Sequence, residues 1–388
     1  MANQLFFTIS QSPCEVPYKF KVTGIKVYSL EEAIYHVYAH WMQSEDDFLS
    51  NELREWVGDT LGLPYIAARI GVIKKIEWFC NQIIAFLQLI DYFNFDELEE
   101  LKPGLIKWEK RREWEKLKER GDYLMNRQEP DKAYILYKKA LLYEENAALY
   151  NNLGIASMGA LLYDDALIYL KRAINLLPSD VNLLLSGAEA AIYARERETA
   201  LVYLKEVKNI DPQNPDIPYI YGLMHFEAGD LNNAIECFNE AISRGEKPDP
   251  DYIYKLADVY AKMRQYDKSL EIMEKIPHKD ARFYVKQSEL NALSGNLPGG
   301  IKSLKNAIYT QNDLPALWVK LAQYHRLDYD LPLANAAISK ALAIDPENER
   351  ARLEEARIKK AMGRTKEYQG VLNGILRDFK KRYRELYA

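Results

Sequence analysis

Small residues recur along this chain at a near-constant interval, and that recurrence limits the possible fold more than any other property. Alanine stands at Ala133, Ala166, Ala200 and Ala234, and again at Ala334, with Ser269 and Gly300 between. The steps are 33, 34, 34, 35, 31 and 34 residues. A second column runs Ala140, Ala173, Val207, Ala241, Ile276, Ala307, Ala341. A third runs Gly121, Gly154, Ala188, Gly222, Ala257, Ser288, Ala322, Ala356. Proline falls late in three of the periods, at Pro178, Pro212 and Pro346. Such a period marks stacked helix pairs, which present a binding surface.

The columns have physical causes. Two helices approach to within about 10 Å only where the crossing residues are small. Larger side chains fill the space beside the crossing: Tyr137, Leu170, Leu204, Phe238, Met273, Leu304, Ile338. Proline ends the second helix because it has no amide hydrogen to donate. One pair cannot bury its apolar face alone, so neighbours stack.

On these residues the chain resembles a tetratricopeptide-repeat protein. Tyr150, Leu153, Gly154, Ala166, Leu170, Ala173 and Pro178 sit at family positions, as do Trp318, Leu321, Ala322, Ala334, Ala341 and Pro346. The repeats read as 114–146, 147–180, 181–214, 215–249, 250–280, 281–314, 315–348 and 349–382, about two-thirds of the chain. Ser269 and Gly300 depart from the alanine column, the fifth repeat is short, and the eighth, with Tyr368 there, reads as a cap. The resemblance implies an all-α, right-handed superhelical solenoid of about eight helix pairs over residues 111–388, closed by a C-terminal capping helix. An RNA-binding helical repeat of similar period does not explain the columns and fits poorly with a formal charge of −5.

Residues 1–110 do not fit the repeat and read as a mixed, mainly helical cap. Leu5–Ser10 and Tyr18–Tyr28 are expected to form a short strand pair split by Gln11, Ser12 and Pro13, with Gly24 marking a second turn. Ser29 and Glu32 are expected to cap a helix bearing Ile34, Val37, Tyr38 and Trp41. A second helix is expected from about Asp46 and a long apolar helical region from Tyr65 to about Phe93. Pro103 and Gly104 are expected to interrupt the next segment, and Leu105–Met125 to run as one helix into the first repeat.

Three cysteines, Cys14, Cys80 and Cys237, are too few and scattered for a disulfide framework. No basic segment leads into an apolar run within Met1–Pro17, and Ile83–Phe95 is too short to span a bilayer. A cytoplasmic protein is expected, with no nucleic-acid or membrane partner.

Motifs for chemistry are missing. The chain has no GxxxxGK[ST] loop, no CxxC pair and no GxSxG elbow. His36 and His40 stand four apart on one helix, with Asp46 and Asp47 near, but lack a third ligand of their own type and read as partly exposed. Trp78, Trp108 and Trp114 read as packing residues, Cys80 as buried, and the pair Glu354–Glu355 as a solvated face. No catalytic residue, metal or cofactor is therefore expected.

The resemblance implies that positions two, five, six and nine of each repeat line a concave groove. In the second to fourth repeats these include Asn151, Asn152, Ile155, Leu185, Ser186, Glu189, Tyr219, Ile220 and Leu223, an amide and apolar set suited to a peptide. In the fifth to eighth they include Lys255, Lys286 and Lys320, with Arg282, Arg350 and Arg357 at neighbouring positions and Asp258 and Glu289 partly offsetting them. That ladder points to an acidic protein or peptide segment. The expected function is a non-enzymatic scaffold or adaptor. A peptide-sensing regulator of the architecture of the Rap phosphatases is the alternative. Co-chaperone activity is disfavoured, since only Lys118 and Asn152 match the five-residue clamp that grips chaperone C-termini in some family members.

Overall fold

A computed structural model describes residue 14 and residues 16–127, 129–245, 249–346 and 348–387, with side chains to residue 377. The expected strand Leu5–Ser10 and the turn at Gln11, Ser12 and Pro13 lie outside them. Among the described residues the chain forms an all-α solenoid of helix pairs with one two-stranded antiparallel sheet. It divides into two compact units, Met1–Glu206 and Val207–Ala388.

The first unit opens with a hairpin, β1 (Tyr18–Lys19) and β2 (Lys26–Val27), in register Tyr18 to Val27. Both strands come from the segment read as one strand. Gly24, at φ 70°, supplies the turn between them. Helices α1 (Leu30–Ala39), α2 (Asn51–Glu55), α3 (Pro64–Ile73), α4 (Phe79–Leu87) and α5 (Phe95–Glu109) follow. Ser29 caps α1 by accepting from the Glu32 amide at 3.1 Å. The cap core gathers Phe20, Ile34, Phe48, Leu53, Ile83 and Phe86, and Phe48 stands edge-on to Phe79 and Phe86.

Four expectations for the cap need correction. The second helix begins at Asn51, where Ser50 accepts from the Leu53 amide at 3.0 Å, because buried Asp47 is taken by Tyr18 and the Lys21 amide and exposed Asp46 by Arg120. The region from Tyr65 to Phe93 is two helices, broken at Lys74–Trp78. Helix α5 runs straight through Pro103, because burial of Leu98, Leu105 and Trp108 outweighs the roughly 3 kcal/mol penalty of an interior proline. Finally, Leu105–Met125 is not one helix. The chain stops at Glu109 and restarts in α6 (Glu113–Asn126), where the Glu115 carboxylate accepts from the Arg112 amide at 2.8 Å. Trp78, expected to pack, is exposed at φ 78°, whereas Cys80 is buried as expected and its thiol is pushed up by that burial.

The repeats of this unit are α6 with α7 (Pro130–Ala140), α8 (Ala147–Gly159) with α9 (Tyr163–Leu176), and α10 (Val181–Tyr193) with α11 (Arg197–Ile210), whose last turn belongs to the second unit. The third small column is where the helices of a pair cross. A Cβ on Gly121 would fall 2.4 Å from Tyr137, and one on Gly154 would fall 2.5 Å from Leu170. Asn146 and Asp180 cap α8 and α10.

The second unit stacks α12 (Asp216–Glu227) with α13 (Leu231–Arg244), α14 (Pro250–Lys262) with α15 (Tyr266–Met273), and α16 (Ala281–Leu293) with α17 (Leu297–Thr310). Then come α18 (Pro315–Leu327) with α19 (Leu331–Ile344), and α20 (Glu349–Ala361) with α21 (Thr365–Tyr387). Gly222 meets Phe238 as Gly154 meets Leu170, with a built Cβ at 2.7 Å. Helix α15 has eight residues where α13 and α17 have fourteen. There Ser269, fully buried in the alanine column, hydrogen-bonds the Ala257 carbonyl at 2.7 Å.

Candidate functional site

The expected groove positions all lie on the first helices of their pairs. In the first unit, Asn151 and Asn152 are half-buried on α8, and Ile155 is exposed there. The Asn152 amide donates to the Asp122 carboxylate at 3.0 Å. The same carboxylate accepts the Tyr137 hydroxyl at 2.7 Å and pairs with Lys118 at 2.7 Å. Burial and that carboxylate raise the Tyr137 phenol well above its ordinary value. Lys118 and Asn152, the two matches to the chaperone-tail clamp, thus already serve an internal acid. The side-chain carbonyl oxygen of Asn151 is buried with no hydrogen-bond partner in the protein. On α10, Leu185 is buried while Ser186 and Glu189 are half-buried.

In the second unit, Tyr219, Ile220 and Leu223 are buried on α12. Tyr219 packs against Tyr252 and Phe238, with ring centroids at 5.0 and 5.7 Å. Packing against the neighbouring helices takes up most of the surface that a ligand would use.

The basic row is a set of rungs between successive first helices. Arg282 on α16 bonds Asp251 on α14 at 2.6 Å and lies over the Tyr254 ring. Lys286 on α16 pairs with Asp258 on α14 and stands 3.9 Å from Glu289. Lys320 on α18 pairs with that same Glu289. Arg326 on α18 and Arg357 on α20 share Glu354, Arg357 at 3.2 Å. Lys255 is half-buried on α14 and Arg350 is exposed on α20. Glu354 is fully buried, so its reading as a solvated face is corrected: two guanidiniums compensate its burial. Asp251 was not among the residues picked out by sequence. It lies a helix away from Arg282, and only the rule that stacked first helices adjoin could have found it.

The histidine pair offers no metal site. His36 is buried rather than partly exposed, and its ring nitrogens meet Thr23 Oγ1 at 2.8 Å and Ser44 Oγ at 3.3 Å. Asp47 accepts from Tyr18 Oη and the Lys21 amide, and Asp46 pairs with Arg120. Among the described residues no group of three or more histidine, cysteine or acidic side chains could hold a metal ion.

The tetratricopeptide-repeat family model matches residues 219–245 and 250–276, which are α12 with α13 and α14 with α15. The chain therefore carries tetratricopeptide repeats. No curated protein matches its sequence. Among solved structures, a tetratricopeptide repeat protein from Parabacteroides merdae is 18% identical, covers 63% of this chain and 98% of its own, and superposes with a TM-score of 0.41. YrrB, a TPR protein with an unusual peptide-binding site, is 17% identical over 47% of this chain and 95% of its own, at a TM-score of 0.34. PilW, a type IV pilus biogenesis factor, is 14% identical over 53% and 97%, at 0.42. At such scores the identification rests on the two matched repeats and the small-residue columns. No described helix is long and apolar enough to cross a membrane.

Proposed function

We propose that the protein is a non-enzymatic, cytoplasmic adaptor whose repeats, residues 111–388, hold a protein or peptide segment along their first helices, with residues 1–110 as a cap. The observation that carries this reading is the half-buried amide pair Asn151 and Asn152 beside exposed Ile155 on α8, a polar and apolar set that a peptide backbone and side chain can meet. In the first unit the amide row of Asn151, Asn152 and Ser186 binds segment backbone. In the second unit Lys255, Lys286, Lys320, Arg282, Arg350 and Arg357 engage segment carboxylates by exchange with Asp251, Asp258, Glu289 and Glu354. Because each rung is already neutralised, an acidic segment gains selectivity from this row more than affinity.

The test is a peptide array probed with the purified chain. Asn151→Ala should weaken every bound peptide several-fold. Lys255→Gln with Lys320→Gln should weaken only acidic ones, and mainly at low salt. Glutamine is preferred to glutamate because reversal would set like charges against Asp258 and Glu289. An array with no binders, or binders indifferent to both variants, would refute the proposal.

A further inference from the structure

The outer positions of the second helices differ between repeats in a way that the fold does not require. Two residues after the buried alanine of each second helix, a side chain turns outward. In α7, α9 and α11 it is Ile135, Ile168 and Val202, exposed by 55%, 51% and 59%. The same position in the next three repeats holds Glu236, Glu271 and Lys302, all exposed. The later repeats serve as internal controls: the position is charged in the fourth to sixth and is Ala336 in the seventh, whereas the first three each carry an exposed branched aliphatic side chain. Three residues further on, the first three repeats carry Lys138, Lys171 and Lys205, whereas the next four carry Asn239, Glu274, Lys305 and Ser339, so only the first three join consecutive lysines to the aliphatic row. Beyond the lysines a second apolar row begins with Tyr143 and Leu176, 61% and 52% exposed.

These rows lie on adjoining helices. Tyr134 on α7 meets Tyr169 on α9, hydroxyl to hydroxyl, at 3.2 Å. Ile174 on α9 and Tyr203 on α11 pack against the same residue, Gly187. Lys138 lies over its own helix's Tyr134 ring, and Lys171 reaches Glu196 at 3.0 Å across two half-exposed side chains, a pair of little worth at a wet surface. Both remain open to a stronger partner.

We infer that this face of α7, α9 and α11 docks an amphipathic helix of a partner protein, with apolar residues at heptad spacing and an acidic edge. The spacing follows from geometry. Stacked helices stand about 10 Å apart, and an α-helix laid across them advances about 10.5 Å in seven residues. One apolar residue per heptad therefore meets Ile135, Ile168 and Val202 in turn, while carboxylates on the flanking edge meet the lysine row. Charge argues against the other occupants. Asp131, Asp164, Asp165 and Glu198, all exposed in the first turns of the same helices, repel an anionic bilayer. A second copy placed symmetrically would set the lysine row against itself. The inference is independent of the first-helix row and stands if that reading fails.

The experiment titrates the full chain into a fluorescent synthetic helix of about three heptads, with leucine at every seventh position and a glutamate edge, read by anisotropy. The expected result is saturable binding that weakens with salt, and at least about tenfold weaker binding of a lysine-edged version. The triple variant Ile135→Glu, Ile168→Glu, Val202→Glu installs what the fourth and fifth repeats already carry, and should cost at least about tenfold in affinity. Ile168→Glu alone, with a partial loss, keeps the test decisive if the triple variant folds poorly. Absent binding, equal binding of both peptides, or indifference to these variants overturns the inference. So does binding to phosphatidylserine vesicles, or self-association in sedimentation, that the same variants abolish.

Discussion

His36 shows what burial does to a single side chain here. Its ring stacks on Phe20 at 3.7 Å and is held by Thr23 and Ser44. Burial, with a smaller contribution from His40, pushes its pKa down to about 3. In the unfolded chain it titrates near the ordinary value of about 6.5. Between those values the unfolded state binds the extra proton, so stability is present above about pH 6.5 and is lost as pH falls toward 3. The slope from this group is at most about 1.4 kcal/mol per pH unit. His40 is lowered too and acts in the same direction. Asp47, raised by burial, acts oppositely but only near the carboxylate range. Denaturant midpoints from pH 6.5 to 4.5 should fall for the native chain and fall less for His36→Gln, which keeps a donor and an acceptor. Parallel curves would remove His36 as the cause. At this scale the sequence was misleading: two histidines four apart resemble a ligand pair, and the hydroxyls that claim one of them come from a hairpin and a loop.

Among the described residues, the connection between the helices of a pair is built the same way seven times, from α8 with α9 to α20 with α21. Leu161, Arg195, Gly229, Arg264, Gly295, Tyr329 and Gly363 all have φ between 61° and 88°. In each, the next residue's amide reaches back to a carbonyl five residues earlier, as Leu162 does to Ser157 at 2.8 Å and Asp230 to His225 at 2.9 Å. This is the left-handed close of a helix, and a side chain there costs about 1–2 kcal/mol. Gly229→Ala should therefore destabilise by about 1 kcal/mol although nothing lies within 4 Å of the added carbon. Leu161→Gly and Tyr329→Gly should stabilise, by less, since glycine also loosens the unfolded chain. Urea melts check the signs, and a neutral Gly229→Ala would show the turn unstrained. The small-residue columns made the helix pairs legible, because sterics at a crossing leave a trace in residue size. The turn left no such trace, since leucine, arginine and tyrosine occupy it in four of the seven cases and glycine in three. Nor did the break between α5 and α6, where Lys110, Arg111 and Arg112 offer no glycine or proline.

For a stacked repeat, stability is close to a sum of nearest-neighbour terms, so one weak repeat matters more than the mean. In the second unit that repeat is α14 with α15, whose second helix is short and buries only Ser269 and Met273. Amides of Tyr266–Met273 should exchange with deuterium before those of Leu231–Arg244 or Leu297–Thr310. Equal protection would place the weakness elsewhere. The rungs were only partly legible in sequence: Asp258 and Glu289 stood out as offsetting charges, but a charge at a repeat position shows its exposure and not its partner. They bear directly on this repeat: Asp251 to Arg282 and Asp258 to Lys286 tie α14 to α16 past the short helix. One side of the fifth repeat is thus laced and the other is thin. Bending at such a joint is expected to pivot on the laced side, so that the thin side around α15 takes up the strain while the charged row keeps its length.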